Sequence, residues 1–166
     1  VYGYRGDKTR RNVFYNADGD VVLHSAATGF SFDVKSRDQE HYRGHTDDIL
    51  CMDMHPDGKT VATGQTGKTP DIHVWDSTSM KLHSVLSKAH KRGVCVLRFS
   101  PDGSKLASIG LDDSHMIVIW DWKKAKQLAS AKGHNDAIFA LEWTSESTFV
   151  TAGVKHIKFW EIGATA

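Results

Sequence analysis

Gly44-His45-Thr46-Asp47-Asp48-Ile49-Leu50-Cys51-Met52-Asp53-Met54-His55-Pro56-Asp57-Gly58 is followed forty-five residues later by Ala89-His90-Lys91-Arg92-Gly93-Val94-Cys95-Val96-Leu97-Arg98-Phe99-Ser100-Pro101-Asp102-Gly103. Each stretch has a histidine after a small residue, then an apolar run, then Pro-Asp-Gly. A third copy opens at Gly133-His134 and carries Ser145 where the others have proline. The copies close on Trp75-Asp76, Trp120-Asp121 and Trp160-Glu161. His-to-His spacing is 45 and 44 residues, and His-to-Trp spacing is 30, 30 and 26. His45 to Thr63 and His90 to Ser108 are both 18 residues, and His134 to Thr151 is 17. Three copies in register exclude coincidence.

Within a copy, short runs of strand-forming residues alternate with turns. The first copy predicts strands over Ile49–Met54, Thr60–Thr63, Ile72–Trp75 and Leu82–Leu86. The second predicts Val94–Phe99, Leu106–Ile109, Met116–Trp120 and Gln127–Ala131. Pro-Asp-Gly punctuates them because proline presets its φ and glycine accepts a positive φ without steric cost. Met116-Ile117-Val118-Ile119-Trp120 is apolar at every position, so both faces of that strand must be covered. A period of about 40–45 residues, opened by Gly-His and closed by Trp-Asp, is the signature of WD-repeat β-propeller blades. The fold class is therefore all-β, an incomplete WD-type propeller segment of about 3–4 blades, since a ring closes with about 4–8. The three repeats divide as 41–86, 87–131 and 132–166, and residues 1–40 form a first partial blade. In that blade Asn12–Tyr15 and Asp20–His24 form a hairpin. Phe30–Val34 is a third strand, and Arg37–Glu40 a polar connection. A first residue that is not methionine points to a longer parent, whose further blades would cover the edge after Trp160.

Bulk composition narrows the function. The chain has 166 residues, 25% charged and 40% hydrophobic, with net charge +1. That is an ordinary globular composition, too balanced for a general nucleic-acid binder. No apolar stretch is long enough to span a membrane, and no targeting segment opens the chain. Cys51 and Cys95, both inside apolar runs, fit a reducing compartment better than a disulfide framework.

The stretch Val1-Tyr2-Gly3-Tyr4-Arg5-Gly6, with Arg11-Asn12-Val13-Phe14-Tyr15, resembles the HELP motif of the echinoderm microtubule-associated protein-like family. Gly44–Ile49, Val61–Lys68, Gly110-Leu111-Asp112-Asp113, Trp120-Asp121-Trp122 and Gly153–Trp160 continue the likeness over nearly the whole chain. It is closest to the long members with several HELP-propeller units in series. The resemblance implies that the HELP segment belongs to the first propeller and that tubulin and microtubules are the partners. It implies a cytoplasmic, cytoskeletal location, with the cilium or flagellar axoneme, and further axonemal or scaffold proteins, for some long forms. The role implied is a rigid, non-enzymatic interaction platform without a cofactor. The rival among propellers is an adaptor in a signalling or ubiquitin-ligase assembly.

A repeat of this kind implies a buried tetrad in which aspartate accepts from histidine, histidine faces serine or threonine, and the hydroxyl meets the tryptophan indole. The second repeat supplies His90, Ser108, Asp112 or Asp113, and Trp120. The first supplies His45, Thr63 and Trp75, and the third His134, Thr151 and Trp160, both without the aspartate. Ser, His and Asp together could be nucleophilic machinery, but recurrence at fixed offsets favours structure, because an active site needs one constellation. His41, His45, Asp47, Asp48 and His55 carry no metal-ligand spacing, and Gly3, Gly6 and Gly19 make no phosphate loop. Basic residues concentrate in predicted loops: Arg5, Lys8, Arg10 and Arg11; Lys88, Lys91 and Arg92; Lys123, Lys124 and Lys126; Lys155 and Lys158. Such loops suit docking on an acidic protein lattice by charge complementarity, and the first three groups are the candidate tubulin contacts.

Overall fold

The structure, a computed structural model, describes residues 3, 4, 6, 7 and 9–163. Its elements are all strands, arranged as four consecutive antiparallel blades, of which the second and third join in one eight-stranded sheet. The first holds β1 (Val13–Tyr15), β2 (Val21–Ser25), β3 (Thr28–Phe32) and β4 (Gln39–Tyr42). The second holds β5 (Ile49–Met54), β6 (Thr60–Gly67), β7 (Ile72–Asp76) and β8 (Leu82–Leu86). The third holds β9 (Arg92–Phe99), β10 (Leu106–Gly110), β11 (Ile117–Asp121) and β12 (Lys126–Ala131). The fourth has β13 (Ile138–Trp143), β14 (Thr148–Gly153) and β15 (His156–Glu161). A two-residue ladder, Thr66↔Gly93 and Gly67↔Arg92, stitches the second blade to the third. Trp75, Trp120 and Trp160 all sit on third strands, as the His-to-Trp register requires.

Two expectations need correction. Residues 1–40 are not a partial blade ending in a polar connection, because Gln39–Tyr42 is a strand that pairs with β3. Tyr42 supplies the reason, since its ring is buried and stacks 4.8 Å from Trp75. The third repeat, for which the shared His-to-Trp register also predicts a four-stranded blade, has three strands among the described residues.

The core lies between blades. Even-numbered residues of β11, Val118 and Trp120, pack with Ala62, Ile72, Val74 and Leu86 of the second blade. The odd-numbered Ile117 and Ile119 pack with Ile138, Leu141 and Phe149 of the fourth. A strand gripped on both sides must be apolar on both faces, and β11 is so from Ile117 to Trp120. Blade four has no neighbour beyond it among the described residues, and Ile157 and Phe159 of β15 are 75% and 77% exposed.

Antiparallel order sends connections to two opposite ends. The β4–β5, β6–β7, β8–β9 and β10–β11 connections emerge at one end, here the upper; β5–β6, β7–β8, β9–β10 and β11–β12 emerge at the other, the lower. Contacts between blades respect this division. At the lower end the Ala17 amide donates to Gly58 O (2.7 Å), and His55 Nε2 lies 3.1 Å from Gly103 O. Gly58 and Gly103 both have φ +70, the conformation that Pro-Asp-Gly turns demand. At Gly103 a side chain is also excluded by the His55 ring, which a Cβ would meet at 2.1 Å. At the upper end, His115 Nδ1 donates to His134 O at 3.0 Å.

Candidate functional site: buried hydroxyl networks, an axial charge cluster and basic loops

The first repeat builds an extended polar chain. The Trp75 indole N–H donates to Thr63 Oγ1 (3.0 Å), and Thr63 Oγ1 is 2.6 Å from His45 Nε2. His45 Nδ1 meets Gln65 Oε1 at 2.7 Å, and Gln65 Nε2 donates to Thr46 Oγ1 at 3.1 Å. A carboxamide oxygen can only accept, so Nδ1 carries the proton and Nε2 accepts from the threonine hydroxyl. Gln65 therefore fills the acceptor role that the sequence left vacant. His73 stacks on His45 at 4.1 Å and meets the Tyr42 hydroxyl at 2.7 Å. Burial, with His73 adding to it, holds the His45 imidazole down at about 3, and burial pushes Tyr42 up to about 12.

The second repeat keeps the inner half of the expected tetrad. His90 Nε2 lies 2.7 Å from Ser108 Oγ, and the Trp120 indole donates to the same oxygen at 2.8 Å. The aspartate link is not made. Asp112 Oδ1 instead accepts from the Ser114 hydroxyl (2.8 Å) and the amides of Ser114 and Met116 (3.2 Å each), while Asp113 pairs with Arg92. His90 Nδ1 is buried without a hydrogen-bond partner. Closing a six-residue connection gives Asp112 three nearer donors, and loop closure wins. Burial pulls His90 down to about 4, with the Asp112 charge opposing.

The third repeat corrects a second expectation. Thr151 Oγ1 accepts from Trp160 Nε1 (2.8 Å), but its imidazole is His156 Nε2 at 2.7 Å, not His134. The β14–β15 connection is only Val154-Lys155, with Lys155 at φ +49, so β15 begins early and brings His156 diagonally opposite Thr151. His134 stands beside it, ring centroids 4.7 Å apart, and accepts from the Asp136 amide. Replacing His90 by Ala is expected to cost about 1–3 kcal/mol, because Ser108 loses its acceptor in a dry site. Replacing the exposed Lys91 should be nearly silent. Equal shifts in chemical denaturation would refute this assignment.

An unforeseen cluster joins the innermost strands. Asp53 on β5, Arg98 on β9 and Glu142 on β13 each lie eight residues after the histidine of their repeat. Arg98 Nε donates to Glu142 Oε1 (3.1 Å), and an Arg98 terminal nitrogen lies 3.5 Å from Asp53 Oδ1. Arg11, entering from the N-terminal segment, reaches both carboxylates, Glu142 at 3.1 Å and Asp53 at 3.4 Å. Asp53 Oδ2 also accepts from the Phe99 amide at 2.8 Å. Burial outweighs the nearby Arg98 and lifts Asp53 to about 6. A charged residue at one fixed offset inside three apolar runs was the sequence signal for this cluster.

The basic groups separate. Arg5 and Lys8 lie outside the described residues. Arg11 turns inward to the cluster, and the Arg10 guanidinium lies over the Phe139 ring at 4.8 Å. Both residues are exposed, and Arg11 is the one of the two that pairs with carboxylates. Lys88, Lys91 and Arg92 are at the upper end, where Arg92 is paired with Asp113. Lys123, Lys124 and Lys126 are exposed at the lower end, with Asp121 as the carboxylate partner of Lys124 at 3.3 Å. No group of three His, Cys, Asp or Glu suited to a metal ion occurs among the described residues.

Stacked antiparallel blades, indole–hydroxyl–imidazole networks and a charge-lined axis define a β-propeller run that opens with a HELP-like segment. Residues 38–166 match the model of the echinoderm microtubule-associated protein first beta-propeller, and residues 1–29 match the HELP motif. The chain belongs to the echinoderm microtubule-associated protein-like family. It is similar to echinoderm microtubule-associated protein-like 4 of Mus musculus, 38% identical over 96% of this chain and 18% of that protein. It is also similar to the 77 kDa echinoderm microtubule-associated protein of Strongylocentrotus purpuratus, 36% identical over 96% of this chain and 25% of that one. Echinoderm microtubule-associated protein-like 1 of Homo sapiens is 34% identical over 98% of this chain and 22% of its own length. The chain thus spans about a quarter or less of these relatives.

Proposed function

We propose that the chain is a non-enzymatic docking module of a microtubule-associated protein, and that the Lys123, Lys124 and Lys126 loop meets the acidic lattice. One observation carries the choice of loop: one member of each exposed triad is paired, but the Arg92–Asp113 pair is bidentate whereas Lys124 meets Asp121 through a single contact at 3.3 Å, which leaves the lower triad the freer of the two. The names of the relatives support the partner. A non-enzymatic role is supported by the hydroxyls of Thr63, Ser108 and Thr151, all 0% exposed and so out of reach of a substrate. The ciliary or axonemal setting of the long family forms belongs to the same proposal; localisation of the tagged full-length protein tests it.

Surface ion pairs contribute about 0–1 kcal/mol each and are screened beyond about 8 Å at physiological salt, so only grouped charges close to the lattice should register. Reversing Lys123, Lys124 and Lys126 together is expected to weaken microtubule co-pelleting of the full-length protein, most at low salt. The same change at Lys88, Lys91 and Arg92 should do much less. Co-pelleting indifferent to salt and to both triple variants would transfer the role to apolar contacts or to another partner.

A further inference from the structure

A recess at the upper mouth of the axis is left unexplained by the charge cluster and the loops. Arg10, Cys95, Leu111, His115, Ile138 and Phe139 are among its lining residues, and it encloses about 290 Å3. Its construction follows from the repeat. Each innermost strand has one residue bulged out of register: Leu50 on β5, Cys95 on β9 and Phe139 on β13. Each lies five residues after the histidine of its repeat. A bulge breaks the alternation of a strand and re-aims a side chain. Leu50 is buried against its neighbours, whereas Phe139 is 43% exposed and Leu111, from the β10–β11 connection, 37%. The floor is therefore apolar and open to solvent.

Arg10 forms one wall, its guanidinium over the exposed ring of Phe139. Unlike Arg11, it pairs with no carboxylate among the described residues. A planar guanidinium held on a ring face presents its edge donors for a carboxylate. Cys95 is not a nucleophile here: its thiol donates to Ile109 O at 3.4 Å, and burial pushes it up to about 12. At about 290 Å3 the recess stands at the lower limit of the roughly 300–1,000 Å3 of sites that enclose a small molecule. It suits a single anchoring side chain.

We propose that this recess is a docking site for an acidic peptide segment, which seats one apolar side chain between Leu111, Ile138 and Phe139 and pairs a neighbouring carboxylate with Arg10. The site lies at the opposite end from the Lys123–Lys126 loop and works by an anchor rather than by diffuse charge. It stands or falls independently of lattice docking.

The probe is a fluorescein-labelled oligoglutamate peptide with one central phenylalanine, titrated with the full-length protein and read by fluorescence anisotropy. Saturable binding is expected, weakened about tenfold or more by Arg10→Glu and by Leu111→Asp, each removing an anchor of the kind that dominates peptide contacts. Alanine in place of the peptide phenylalanine should weaken it similarly, and Lys123→Glu with Lys124→Glu should leave it unchanged. Thermal melts identify a variant that fails to fold, and the other variant then decides. Absence of saturable binding, equal binding of the phenylalanine and alanine peptides, or indifference to the folded recess variant would overturn the proposal. Loss of binding only in the Lys123/Lys124 variant would overturn it as well, by moving the peptide to the other end.

Discussion

Acidification from pH 7 to pH 4.5 is expected to destabilise this fold by about 3 kcal/mol before its surface carboxylates begin to protonate. His45 and His90 are held near 3 and 4 by burial, below an unfolded value of about 6.5. The folded state therefore binds fewer protons than the unfolded chain between those limits. Stability from each is complete above about 6.5 and is lost as pH falls, at about 1.4 kcal/mol per unit. By pH 4.5 the pair has given up about 5 kcal/mol. Asp53 acts in the opposite sense. Its carboxyl is raised to about 6, so the folded state takes up its proton first and stability grows as pH falls through that value. That returns about 2 kcal/mol by pH 4.5, and the histidines win. His73 and His156, also lowered by burial, add to the loss. Urea unfolding at a series of pH values measures the slope. A midpoint that is flat or rising from pH 7 to 4.5 would show that the imidazoles are not held neutral.

Asp53→Ala is expected to cost about 3–5 kcal/mol at pH 7, the range for removing one partner of a buried ion pair. Three groups lose an acceptor together: the Phe99 amide, Arg98 and Arg11. The first two are buried, and a buried donor left alone costs its whole desolvation penalty. Asp53→Asn behaves differently. Its amide oxygen still accepts from Phe99, and it carries no charge to desolvate, so stability should stay within about 1 kcal/mol of the parent. The raised pKa of Asp53 says the same thing, since its site disfavours the ionised form. If Ala and Asn are equally damaging, the cluster acts through charge alone and the hydrogen-bond account fails. Because the cluster ties β5, β9 and β13 to the N-terminal segment, the Ala variant should also expose the Arg98–Leu97 region to hydrogen exchange.

Periodicity made the blades legible. Each blade is a local unit of hairpins, so the His, Ser/Thr and Trp positions that close its network recur at fixed offsets, and Thr63, Ser108, Thr151 and the three tryptophans are all where the register puts them. The errors fell where an interaction is chosen by geometry rather than by offset. Gln65 serves as the acceptor for His45 because it lies two residues along β6 from Thr63, on the same face. Asp112 is drawn off by its own loop amides, and a two-residue turn puts His156 where His134 was expected. Arg37–Glu40 reads as a polar connection by composition, yet Gln39–Tyr42 is a strand because Tyr42 finds Trp75 in the next blade.

By itself the sequence determined that this chain is a run of propeller blades of a recognisable family, because hydrophobic period and turn chemistry are properties of neighbouring residues. It also carried the eight-residue offset of Asp53, Arg98 and Glu142, although their meaning depends on three innermost strands standing side by side. Which charges meet is set by how the blades pack. Strand direction sends Lys88 and Lys91 to one end and Lys123, Lys124 and Lys126 to the other, while Arg11 crosses to carboxylates 42 and 131 residues away. Coulomb interactions depend on distance in space, and chain order does not fix that distance until the blades have packed.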